Sequence, residues 1–387
     1  MNSIRALTLV TSLICFSMAD VAFAKTFVYV SNAEDGDIDG YEMSADGALT
    51  SLGKTEAGKL VMPMAVSPDR KHLYAIVRSE PLRVVTYSID TAAGTLKSEA
   101  AAPLPDSMSY SSVDRNGHFL FTASFGGDKV AVNPIGADGL IRAAASQVIP
   151  TGHNAHSILA DRANKYVYAS NLGSSQILQF ALDEKTGTLT PLDPPLVKVH
   201  PGNGPRHLAI SKGNRYLYVL CELTGTIVQF AIDPKAGTLS EAAYVGSAPP
   251  QTDLHPGVVR ESLSTTASSG ANPAVLDADK TPRIWAADID ITPDGHFMYT
   301  TERTNSTISV LSIEPETGKL TYLASYSTEK QPRGIRVDPT GRFLVAAGEK
   351  SDHISVFKID GQTGALTLNG RYPVGKDANW VVIVETP

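Results

Sequence analysis

Three stretches carry the residue types from which proton transfer and anion stabilisation are built. "GNGPRHLAIS" (202–211) sets Arg206 and His207 side by side at the head of an apolar strand. "KQPRGIRVD" (330–338) repeats the phrase with Arg333, and "HNAHSILAD" (153–161) is a weaker copy carrying His156. Glu222 and Arg303 follow two of these or related segments at a common distance. An ester or lactone carbonyl gains negative charge as water attacks it, and guanidinium groups at that oxygen stabilise the charge where water is partly excluded. An imidazole or carboxylate then takes the proton of the water and returns one to the leaving alkoxide, a role open to His156 or Glu222. No nucleophilic serine or cysteine is needed. The chain has no GxSxG phrase, and Cys221 sits in an apolar strand.

Such dispersed residues meet only if the fold brings them together, and an internal repeat supplies the means. The phrases "DGALTSL", "AGTLKSE", "DGLIRAA", "TGTLTPL", "AGTLSEA", "TGKLTYL" and "TGALTLN" place Gly47, Gly94, Gly139, Gly187, Gly237, Gly318 and Gly364 at steps of 47, 45, 48, 50, 81 and 46 residues. Each glycine suits a tight turn between antiparallel strands. Upstream of them, segments such as "AVSPDRKHLYAIVRS" and "DITPDGHFMYTTERT" read as strand, polar turn, strand. Apolar residues alternate in short β-branched and aromatic runs, with turns too frequent for helices. Four strands per period of about 40–50 residues mark a propeller blade.

The expected fold is therefore all-β, a seven-bladed β-propeller of four-stranded blades in one domain, 25–387. "KTFVYVSN" near the start lacks a first strand and "NWVVIVE" at the end lacks a successor, so their pairing completes the seventh blade and removes the free edge. The long 81-residue step holds a Pro- and Ser-rich insertion, 247–283, read as a loop that serves either as a partial lid or as a floppy insert.

Registering the repeats on Ser67, Asp114, Asp161, Ser211, Thr292 and Asp338 puts Met62, Ser109, His156, Arg206, Ala287 and Arg333 five residues earlier, with Asn379 as the seventh. These stand at the start of the innermost strands, where side chains from different blades converge on one mouth of the central channel. The antiparallel second strand returns to the same face, and eleven residues past the marker stand Arg78, Phe125, Leu172, Glu222, Arg303 and Glu349. His156, Arg206, Glu222 and Arg333 are the catalytic candidates. Arg303, Arg78, Trp285 and His207 are the substrate-binding candidates, although Trp285 also suits inter-blade packing and His207 stacking between blades. Glu302 and Glu349 lie at the border, while His72, His118 and His296, in the polar turns, are read as solvent-facing. Asp288 and Asp290 alternate with strand residues and form no metal cage, and no HxxxH or CxxC spacing occurs, so no metal and no cofactor are expected.

Composition narrows the setting. Residues 1–24 combine Arg5, an apolar stretch and small residues at Ala22 and Ala24, the pattern of a cleaved signal peptide, which places the protein in the periplasm. No later segment is apolar enough for membrane insertion. Of two cysteines only Cys221 outlasts the leader, so the fold is held without an internal disulfide. With net charge −7 and no clustered Lys or Arg, nucleic acid is not an expected partner.

The phrases "GPRHLAI", "WAADIDITPDG", "QPRGIRVDPTGRFLVAAGEKSDHISVF" and "GRYPVG…NWVV" resemble the bacterial 6-phosphogluconolactonase family of seven-bladed propellers, related in fold to the fungal carboxymuconate-lactonizing enzyme. The resemblance spans nearly the whole chain after the leader. It implies lactone hydrolysis without a metal and matches the family's functional positions to His156, Arg206, Glu222, Arg303 and Arg333. The leader departs from the cytoplasmic members. Sugar phosphates stay in the cytoplasm, so the small-molecule substrate expected is an unphosphorylated sugar lactone, D-glucono-1,5-lactone, as for a periplasmic gluconolactonase. The alternatives are 6-phosphogluconolactone, with Arg303 and Arg78 or Lys350 receiving the phosphate, a muconate-type diacid clamped by paired arginines, and a non-catalytic binding propeller.

Overall fold

The computed structural model describes residues 24–247, 252–259 and 281–386. Twenty-eight strands, β1 to β28 in chain order, form seven four-stranded antiparallel sheets among these residues. Each sheet is one blade. The innermost strands are β4 (Val61–Val66), β8 (Tyr110–Val113), β12 (Ala155–Ala160), β16 (Pro205–Ile210), β20 (Ala286–Ile291), β24 (Pro332–Val337) and β28 (Ala378–Thr386), heading blades 1 to 7. Each packs against the next, and β28 packs against β4, so the seven enclose a channel. In blade 7, β28 pairs with β1 (Lys25–Asn32) from Lys25↔Thr386 to Asn32↔Ala378 and closes the circle. The expected leader falls almost wholly outside the described residues. So does most of the 247–283 insertion.

The turn between the first two strands of a blade shows why the register markers are small acceptors. The Asp161 carboxylate accepts the N–H groups of Lys165 (2.7 Å) and Tyr166 (3.0 Å), and Asp338 does the same for Arg342 (2.8 Å) and Phe343 (2.7 Å). The hydroxyls of Ser67, Ser211 and Thr292 take this place in other blades. The second strands are continuously buried because a neighbouring blade covers each face. Phe119–Ser124, Phe297–Glu302 and Phe343–Gly348 are buried at every position. Seven apolar clusters result, one at each junction between blades.

A second device locks these junctions. All seven repeat glycines adopt φ between +65° and +82°, and a Cβ at any of them would lie 2.2–2.5 Å from a ring of the preceding blade. Gly237 sits under Tyr166, and the hydroxyl of Tyr168 donates to the Gly237 carbonyl at 2.7 Å. Tyr29, Tyr74, Tyr218 and Tyr299 make the same bond to the glycine of the next blade at 2.8–2.9 Å. At Gly139 the covering ring is His72, which is half-buried and so is not the solvent-facing residue its polar turn suggested.

Tyr168→Phe removes one such bond while keeping the ring, and is expected to cost about 1 kcal/mol, with the carbonyl left under-satisfied. Gly237→Val is expected to cost more than Tyr168→Phe, because it adds strain at positive φ to a collision with Tyr166. Urea unfolding midpoints with unchanged m-values check this order.

Candidate active site

The channel mouth is built on irregular strands. Six of the seven innermost strands break register near their first residues, between Val61 and Met64, Ala155 and Ser157, Pro205 and Leu208, Ala286 and Ile289, Pro332 and Gly334, and where Ala378 and Trp380 face β1. Such a bulge re-aims side chains that regular alternation would send to opposite faces. It is why Arg206 and His207, adjacent in sequence, both face the channel.

Arg206 is 1% exposed. Its Nε donates to Glu222 Oε2 at 2.8 Å, and its Nη1 donates to the carbonyl of Ala287 on the next blade. The other Glu222 oxygen, Oε1, pairs with Arg303 Nη2 at 2.8 Å, and Arg303 Nε donates to the Trp285 carbonyl at 3.0 Å. One carboxylate thus ties guanidinium groups of blades 4 and 5 together. Arg333 Nη1 donates to Glu349 Oε1 within blade 6. Arg78 Nε donates to Ser107 Oγ at 3.0 Å, and the charge of Arg333 is felt there.

The imidazoles lie beside these arginines. The rings of His156 and His207 meet edge to face with centroids 5.3 Å apart, and Phe125 covers His156 at 5.7 Å. His207 Nδ1 is 2.7 Å from Asp288 Oδ1, and its ring is bounded by Tyr110 at 5.1 Å and Trp380 at 5.7 Å. Those partners stand on β8, β12, β20 and β28, so His207 faces the channel and does not stack between blades. The Trp380 indole donates to the Met64 carbonyl at 2.7 Å and is fixed in place.

Burial dominates the electrostatics. It drives His156 and His207 well below the ordinary histidine range, and the Arg206 charge pushes both further the same way, so both rings are neutral near pH 7. Burial also lowers Arg206 to about 9 against the pull of Glu222, and lowers Arg78 to about 10 with help from Arg333. For Arg333 burial works against the charge, but Glu349 outweighs it and holds the guanidinium above its usual value. Burial likewise opposes ionisation of Glu349, and Arg333 and Arg303 overcome it.

His156, Arg206, His207, Glu222, Arg303 and Arg333 therefore form one cluster, with Arg78 on its far side. Trp285 is half-buried and enters through its backbone, its N–H donating to Glu302 Oε1 at 2.9 Å. Glu302 also accepts from Thr304 and Asn305 and serves its own turn. A cleft of about 800 Å³ between blades 6 and 7 opens beside the cluster and shares Glu349 with it. The described part of the insertion lies at the same mouth: Gly257 N–H donates to the Leu223 carbonyl at 2.7 Å, and His255 bonds across to Pro282 and Ile284 at 2.8 Å. Tyr110, Asp288 and Trp380 were missed as site residues. All three occupy the position of His207 in their own repeats, one residue after the first stacked row, so stacking a second row would have found them. No group of three or more potential metal ligands occurs among the described residues. Neutral imidazoles beside guanidiniums in one sheltered hollow can take up a proton and hold negative charge.

Comparison with known proteins agrees with this construction. Residues 27–383 match the family model described as "Lactonase, 7-bladed beta-propeller". The chain is 38% identical over 364 residues to a protein of Serratia proteamaculans named 6-phosphogluconolactonase, covering 93% of this chain and 99% of that one. A protein of the same name from Erwinia tasmaniensis is also 38% identical, over 93% of this chain and 98% of its own. In fold, the periplasmic gluconolactonase of Pseudomonas aeruginosa superposes with a TM-score of 0.79 at 22% identity, over 94% of this chain and all of that one. The chain belongs to the seven-bladed β-propeller lactonase family, and it is a lactone-opening carboxylic-ester hydrolase.

Proposed function

We propose that the protein hydrolyses D-glucono-1,5-lactone to gluconate in the periplasm. The observation that carries this reading is the neutral, buried His156 beside the Arg206–Glu222–Arg303 chain, joined to a leader-like segment at residues 1–24. Both Glu222 oxygens are bound by guanidinium groups, so Glu222 orients Arg206 and Arg303, and the proton falls to His156. Water attacks the lactone carbonyl as His156 accepts its proton, and Arg206 and Arg333 hold the oxyanion. The ring C–O bond then breaks, His156 returns the proton to the ring oxygen, and the new carboxylic acid ionises to gluconate. Arg303 and Arg78 face the sugar hydroxyls, Trp285 holds Arg303 through its backbone carbonyl, and His207 lies at the floor of the space.

A second reading keeps the chemistry and takes 6-phosphogluconolactone as substrate. The names of the relatives at 38% identity favour it, and Arg78, Arg303 and Lys350 at the same mouth suit a phosphate. Proton release into a pH indicator, with the spontaneous rate subtracted, compares kcat/KM on the two lactones. Glucono-lactone as the better substrate supports the first reading, and the phosphorylated lactone as the better substrate replaces it with the second.

Arg206→Ala is expected to lower kcat/KM about 10²- to 10³-fold if the guanidinium stabilises the oxyanion. It also strips Glu222 of one partner, at a cost of roughly 3–5 kcal/mol of stability. Arg206→Lys, which keeps charge but not the planar fork, separates the two effects: activity is lost while part of the stability returns, limited by the poorer burial of an ammonium.

The pH dependence follows from the lowered His156 value. The base works when neutral, and its pKa lies below the usual 6.5, so kcat/KM is expected to stay level as pH falls from 7.5 through the ordinary histidine range and to drop only at more acidic pH. An acid limb centred near pH 6.5 contradicts the assignment.

A further inference from the structure

Two buried nitrogen atoms lack partners at the floor of the site, Nδ1 of His156 and Nε2 of His207. They belong to neighbouring rings with centroids 5.3 Å apart. On its other edge His207 is anchored, with Nδ1 2.7 Å from Asp288 Oδ1. Asp288 is itself held on both oxygens: Oδ1 accepts the Ile289 N–H at 2.9 Å and Oδ2 the Ile335 N–H at 3.0 Å. Backbone donors on β20 and β24 thus set the carboxylate, which cannot swing away from the imidazole. Burial pushes the Asp288 carboxyl up, but Arg336 and the two backbone donors on its oxygens favour the carboxylate, which accepts only, so the neutral His207 ring carries its proton on Nδ1 and leaves Nε2 bare.

We propose that Asp288 is a positioning residue acting through His207 on His156, an inference that rests on His156 being the base. Bare Nε2 of His207 accepts from Nδ1–H of His156, which matches the two orphaned nitrogen atoms as acceptor and donor. The imidazole χ2 torsion is soft, and with His207 anchored by Asp288 it is rotation of the His156 ring that brings the edges together. His156 is then fixed with its proton on Nδ1 and its lone pair on Nε2. When water is deprotonated, its proton goes to that Nε2. His156 becomes imidazolium, still donating through Nδ1 to His207, while Asp288 stays ionised. On collapse of the intermediate the Nε2 proton passes to the ring oxygen and the resting tautomers return. The chain runs across three blades, from β20 to β16 to β12, and explains why a carboxylate lies buried beneath two neutral rings.

The test reads tautomers directly in the resting protein, with no lactone present, so it stands apart from any failure of substrate assignment. The mature chain labelled with ¹⁵N at histidine is studied near pH 7 by long-range ¹H–¹⁵N correlation, with His156→Gln and His207→Gln identifying the two signals. Both rings are expected neutral with the proton on Nδ1. Finding the proton of either ring on Nε2 overturns the proposal, and that measurement needs no variant of Asp288. In Asp288→Ala the His207 and His156 tautomers are expected to become mixed and kcat to fall on the order of tenfold or more with KM little changed. Unchanged tautomers and unchanged kcat in a folded Asp288→Ala also overturn it.

Discussion

The clasp between blades is the contact on which the rest of this molecule depends. A hairpin glycine at positive φ admits the ring of the preceding blade, and where that blade supplies a buried tyrosine its hydroxyl binds the glycine carbonyl. Each blade presents both halves of the clasp, so the same contact recurs at all seven junctions of the circle. Pairing of β28 with β1 fastens the two ends of the circle with hydrogen bonds and gives β1 the inner partner that the other blades supply from their own segment. Without an internal disulfide among the described residues, the whole assembly rests on these junctions and the seven apolar clusters between them.

Closure has an electrostatic consequence. Seven strand starts are forced around one axis, and side chains that point inward lose water. Arg206 at 1% exposure keeps its charge because Glu222 and the Ala287 carbonyl replace its hydration. Histidine has no such fixed obligation to be charged, and in the same hollow it goes neutral. The hollow therefore holds its cations as guanidinium and its imidazoles neutral. Lysine would tolerate this burial less well, since its compact ammonium is more strongly hydrated and loses its proton more easily.

Much of this was legible beforehand because repeats report on themselves. The seven glycine turns gave the blade count, and the incomplete first and last strands gave the closure. A single row of stacked residues gathered His156, Arg206 and Arg333, and the returning strand added Glu222 and Arg303. What escaped was local. Strict alternation sends His207 between the blades, whereas the break in register between Pro205 and Leu208 turns it inward. Asp288 is weighed in the sequence only as a metal ligand, because its partner His207 lies 81 positions away. His72, in a polar turn, gave no sign that it would lie beneath the Gly139 hairpin.

Periodicity, turn chemistry and residue type by themselves determined that this chain makes seven four-stranded blades and that basic and imidazole groups stand at corresponding places in several of them. These are properties of each segment and its spacing, and they do not require knowing what lies across the channel. Tertiary structure alone decided which way the side chains at each bulge point, that Glu222 joins two arginines, and that Asp288 anchors His207. Those outcomes depend on distances between blades and on the water excluded when the ring closes, which no single segment encodes.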